Sequence, residues 1–168
     1  MDLKAVHAQR VSRETMMQIV DYVMDNHARF KEFINLFFTC SRKVAERSSW
    51  PLSYCAERCP AWIRPHIGKL LHYLEEADPL PGTKRNVMRA LQFVEIPKRF
   101  HAQAINLSFG LLMSTSEPVA VKVFSMSLLA RLAKANPELM RELKIVIEDQ
   151  LPYSSPGFRS RAKKVLKC

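Results

Sequence analysis

A unit that recurs about every 38 residues constrains this chain more than any other feature. Trp50-Pro51-Leu52, Val87-Met88-Arg89-Ala90-Leu91 and Ser127-Leu128-Leu129 each lie in an apolar segment of helical period. A proline follows each one (Pro60, Pro97 and Pro137) and is expected to open a second helix. The second segments run from Trp62 to Leu71, from Lys98 to Leu112 and from Glu138 to Leu151. A two-helix unit of this size cannot bury its own apolar face, so neighbouring units must stack. The expected fold class is therefore all-α, a solenoid of about nine helices in one domain spanning residues 1–168.

The rest of the chain divides to match. Residues 12–40 read as an N-terminal helix-pair cap, 41–77, 83–114 and 117–151 as repeats, and 157–167 as a C-terminal half-repeat. In the cap, Ser12 and Asn26 are expected to cap helices. Phe30, Phe33, Ile34, Phe37 and Phe38 fall at i, i+3, i+4, i+7 and i+8, an apolar stripe suited to sealing one end of a stack. Pro51 predicts a kink or break in the first helix of the first repeat. Asp78-Pro79-Leu80-Pro81-Gly82 reads as a loop. Ser116 is the expected cap of the third repeat, with Pro118 in its first turn. Pro152 to Gly157 reads as the last loop.

Composition agrees and sets limits. Only 4 of the 168 residues are glycine, and hydrophobic content is 48%. No alternating β-branched run suggests a strand. No apolar run follows Met1-Asp2-Leu3-Lys4, and none approaches the ~20 residues of a membrane span. A cytoplasmic location and no membrane partner are expected, and four cysteines fit a reducing compartment. The net charge of +10 favours acidic partners. Between Ser154 and Cys168 stand Arg159, Arg161, Lys163, Lys164 and Lys167 and no acid.

The first helices read Thr83-Lys84…Val87…Leu91, Val121-Lys122…Ser125…Leu129 and Phe158-Arg159…Ala162…Leu166. This resembles HEAT repeats, over about residues 41–168. The resemblance implies a right-handed α-α superhelix whose repeats are joined by a ladder of paired charges. Asp78 and Glu117 stand where that family places an acid before the basic position, but Ser154-Ser155 stands there in the last unit. The stretches Ser49 to Pro65 and Glu148 to Ala162 are similar to short bacterial HEAT-like proteins of unknown function. Some of these carry the label adenylosuccinate lyase. The chain lacks that superfamily's Ser-rich catalytic loop: Ser154-Ser155-Pro156-Gly157 has no Met, Lys or Asn.

No local motif carries chemistry, and no catalytic residue, metal site or cofactor is expected. Cys55 and Cys59, with His66 and His72 downstream, lack zinc-ligand spacing. They read as buried helix cysteines, and Cys40 and Cys168 as incidental. His7, His27, His66, His72 and His101 are scattered, and the four glycines are isolated, so there is neither a catalytic triad nor a phosphate loop. Trp50 and Trp62 read as packing residues. The alternative follows a branch of HEAT-like proteins that excises alkylated bases with aromatics and an acid, for which Glu57 is a candidate.

Two surfaces are expected to bind. A protein or peptide partner is assigned to the concave second-helix face, at Arg64, His66, Lys69, Lys98, Arg99, Gln103, Glu138, Arg141 and Lys144. The alternative is a nucleic-acid contact through Lys84, Arg85, Lys122, Arg159, Arg161, Lys163 and Lys164. For Lys84 and Lys122 the inter-repeat ladder is the stronger reading. For Arg161, Lys163, Lys164 and Lys167 it is an exposed face.

Overall fold

The computed structural model describes residues 1–3, 5 and 11–167, so His7 and Cys168 lie outside the described residues. The described residues contain no strand. The chain divides into two compact units, Met1–Glu95 and Ile96–Cys168.

The first unit opens with α1 (Arg13–Met24) and α2 (His27–Thr39). The Ser12 hydroxyl accepts from the Thr15 amide at 3.0 Å, and the Asn26 side chain accepts from Ala28 at 2.7 Å. Both expected caps therefore satisfy amides that the first helical turn leaves free. Met16, Ile19, Val20 and Val23 of α1 are buried, as are Phe30, Phe33, Ile34 and Phe37 of α2. Phe38 is only half-buried and packs edge-on against Phe37.

Helix α3 (Arg42–Arg58) runs unbroken through Pro51, which corrects the expected break. Two serines flank the proline and bond back into its helix. Ser49 donates to the Glu46 carbonyl at 2.6 Å, and Ser53 to the Trp50 carbonyl at 2.8 Å. Pro51 itself is buried. Burial and these local bonds offset the one missing backbone donor. The second arm of the repeat is α4 (Pro60–Ile63), a 3-10 turn (Arg64–His66) and α5 (Ile67–Glu76).

Helix α6 (Pro81–Leu91) completes the unit. Pro81 and Gly82 belong to its first turn rather than to the preceding loop, because proline at the first helical position loses a donor that has no helical partner there. Counting Pro60–Glu76 as one arm, nine helices lie among the described residues.

The second unit begins with a 3-10 turn (Lys98–Phe100) and α7 (His101–Met113). It continues with α8 (Val119–Leu132), a 3-10 turn, α9 (Pro137–Gln150), the 3-10 turn Leu151–Tyr153 and α10 (Pro156–Leu166). Proline opens α9, as expected, under an Asn136 cap.

Two expectations about helix starts fail here. Ser116 does not cap α8; its hydroxyl meets that of Ser114 at 3.1 Å, and Pro118 itself occupies the cap position. Proline has no amide hydrogen and here holds an extended backbone, so the helix begins one residue later. Pro156 and Gly157 belong to α10, whose cap is Ser155, accepting from Phe158. The core joins Leu112 of α7, Met126 and Leu129 of α8, Leu143 and Ile147 of α9, and Phe158 and Val165 of α10.

Candidate functional site

In the first unit, α3 packs more extensively on α6 than any other pair of helices does. Their seam is polar. Asn86 donates to the Ser49 hydroxyl at 2.9 Å, and Arg89 donates to both the carbonyl and the hydroxyl of Ser53 at 3.1 Å. The Arg89 guanidinium also meets Glu57 at 2.5 Å, while lying 4.5 Å from the centre of the Tyr54 ring and 5.1 Å from that of Phe93. Partners are 32 to 37 residues apart, about one repeat. A further charged rung joins Arg42 to Asp78 at 3.2 Å. Asp78 holds the one positive φ of a non-glycine residue among the described residues, a conformation aspartate tolerates better than most.

Aromatic rings join the cap to the second arm of the first repeat. Trp62 meets His27 edge-on at 5.0 Å and Phe30 at 5.5 Å, and Phe30 meets His66 at 6.0 Å. Trp62 is thus engaged in packing and Glu57 is engaged by Arg89. Burial pushes the Cys55 thiol up to about 12, so it stays protonated and unreactive at neutral pH. Burial, with Lys69 and His27 nearby, lowers the His66 pKa.

The second unit carries two different surfaces. Met113, Val119, Ile145 and Tyr153 are exposed apolar side chains, and all four line one hollow of about 800 Å³. Its floor includes Val146 and Phe158, and its polar lining includes Glu117, Lys122 and Asp149. Lys122 donates to Gln150 at 3.3 Å, which links α8 to α9. Ile145 also borders a second hollow of about 900 Å³, lined by Arg131, Lys134, Arg141, Lys144 and Glu148. On α10, Pro156, Arg159, Ser160, Lys163, Lys164 and Lys167 line a basic hollow of about 460 Å³.

Helices bonded across one repeat length are what such a repeat family builds, and the profile of the HEAT repeat domain family matches residues 3–168. The chain belongs to that family. Comparison with the curated proteins and with the solved structures gives no match.

The HEAT repeat frame places the sequence-predicted residues as follows. In the first unit Arg64 and Lys69 are exposed and His66 is half-buried. In the second unit Lys98, Arg99 and Arg141 are exposed, with Arg99 over the Phe100 ring, and Gln103 and Lys144 are half-buried. Arg141 and Lys144 share one hollow. Of the second set, Arg85 is exposed and bonds Asn86 at 3.2 Å, while Lys84 and Lys122 are half-buried. Arg159, Lys163 and Lys164 are exposed and Arg161 is half-buried.

Lys122 meets an amide, and Ser155, standing where an acid was looked for, caps α10 instead. Sequence reasoning missed Met113, Val119, Ile145 and Tyr153. One signal was available: Ile145 sits midway between buried Leu143 and Ile147, which turns it to the opposite face of the helix.

Proposed function

We propose that this HEAT repeat chain is a non-enzymatic scaffold that docks a segment of another protein across α9. The observation that carries the reading is the gathering of four exposed apolar side chains, Met113, Val119, Ile145 and Tyr153, around one hollow. Singly exposed apolar residues are ordinary on a protein surface, whereas apolar patches rimmed by polar residues mark interaction sites. The rims name the occupant by charge. Glu117 and Asp149 line one side of Ile145, and Arg141 and Lys144 line the other. A complementary segment carries an apolar anchor over Ile145, a basic residue toward the first hollow and an acidic one toward the second. This reading keeps Arg141 and Lys144 from the surface expected from sequence and adds an apolar centre, which supplies most of the affinity in typical interfaces.

The test is selection from a displayed library of random peptides. Wild-type protein should enrich peptides with an apolar anchor between opposite charges. Ile145→Glu should enrich none of them, while its helical circular dichroism is unchanged. If wild type enriches no peptide, or Ile145→Glu enriches the same set, the reading fails.

A further inference from the structure

We infer that the outer face of α10 is a contact surface for the phosphate backbone of duplex nucleic acid. The inference does not rest on the docking reading, since it uses a different helix and a different chemistry.

Arg159 and Lys163 on α10 and Lys167 at its C-terminal cap recur every four residues and are all exposed. At 1.5 Å rise per residue they step about 6 Å along one side of the helix. With Lys164 and Ser160 they line a single hollow whose residues include no acid. No acidic residue stands anywhere on α10 or on α8, the helix it packs against most extensively. The acids of this unit are Glu117, ahead of α8, and four on α9: Glu138, Glu142, Glu148 and Asp149. The row of cations therefore faces solvent with its field largely uncancelled by neighbours on its own helix or on α8.

The chemistry of the face narrows the partner. Its apolar residues are spent in the core: Phe158 is 2% exposed, Ala162 0% and Val165 4%. Nothing greasy is left to insert into a membrane, as an interfacial helix requires. The hollow offers no aromatic ring to stack on unpaired bases, as single-strand binders use. It also lacks the apolar centre that anchors a typical protein partner. What remains is a line of cations with one hydroxyl, the composition that contacts phosphates without reading sequence.

The test is fluorescence anisotropy with a labelled mixed-sequence DNA duplex. Neutralising three phosphates gives a slope of log affinity on log salt of about −2.7, a loss of roughly fortyfold between about 50 and 200 mM salt. The triple substitution Arg159→Gln/Lys163→Gln/Lys167→Gln changes only exposed side chains, and its fold is checked by circular dichroism. It should weaken duplex binding at least tenfold at the lower salt and flatten the slope. Sedimentation with vesicles of phosphatidylserine and phosphatidylcholine runs in parallel. Duplex binding that the triple variant retains overturns the inference. So does no duplex binding at the lower salt, or vesicle binding without duplex binding.

Discussion

Two helix seams, one in each unit, solve the same packing problem with opposite chemistry. In Met1–Glu95, α3 and α6 meet through Ser49, Ser53 and Glu57 against Asn86 and Arg89. In Ile96–Cys168, α8 and α10 meet through Met126 and Leu129 against Phe158, Ala162 and Val165. The buried serine of α8, Ser125, bonds its own helix at the Val121 carbonyl. A polar seam fixes register, since each donor has one correctly placed acceptor and a slip leaves several groups unpaired. An apolar seam stabilises by area and shape, and it tolerates changes of shape better than changes of volume.

Truncation in the apolar seam should therefore cost most. Leu129 is fully buried in the core of the second unit, and Leu129→Ala is expected to destabilise by about 3 kcal/mol, within the roughly 2–5 kcal/mol range for such cavities. Urea unfolding checks it. A loss below about 1 kcal/mol would mean that the seam collapses around the gap.

Arg89→Ala comes next, at about 2 kcal/mol, because it removes two bonds to Ser53 and the pair with Glu57 at once, although the Ser53 hydroxyl keeps its bond to the Trp50 carbonyl. Glu57 is 45% exposed in its side chain, so its pair with Arg89 contributes less than a buried pair does. A double-mutant cycle with Glu57→Ala should give a coupling of about 1 kcal/mol or less. A larger coupling would make the salt bridge, rather than the Ser53 bonds, the centre of the seam.

The polar seam also contains its own flaw. The Ser48 and Thr83 hydroxyls are buried and have no hydrogen-bond partner among the described residues. Thr83→Val keeps the shape and removes an unpaired group, so it is expected to leave stability unchanged or raise it by up to about 1 kcal/mol. Destabilisation measured by thermal unfolding would show that the hydroxyl does have a partner.

The contrast between the seams explains what could be read from the chain. The all-helical fold was legible because helical period carries that information directly; Pro60 and Pro137 open helices as expected, whereas Pro97 is extended and precedes a 3-10 turn. The caps at Ser12 and Asn26 were legible for the same reason: a local side chain meets a local amide. Ser116 misled because Pro118 takes the cap position and shifts the helix start by two residues, a competition between two valid local signals. The polar seam was only partly legible. Charge and spacing pointed to Lys84 and Lys122, but not to the bonds of Arg89 and Asn86 with the serines of α3, whose pairing depends on how two helices rotate against each other. Of the hollow only Ile145 left a signal in the sequence, because Met113, Val119 and Tyr153 come from three separate elements.

The smallest expected effect is a pH dependence in the first unit. His66 is half-buried against the Phe30 ring, and its pKa is lowered by burial, by Lys69 on α5 and by His27 on α2. The folded chain thus keeps the ring neutral to a lower pH than the unfolded chain does. Between the lowered value and the usual 6.5, the unfolded chain binds more protons, so stability rises with pH across that window. The contribution is complete above about pH 6.5 and is lost as pH falls through the folded-state value. Denaturant midpoints taken at about pH 7.5 and about pH 5 should differ in wild type and differ less in His66→Gln, which keeps a planar polar side chain of similar reach. An identical shift in both proteins would assign the dependence to other groups.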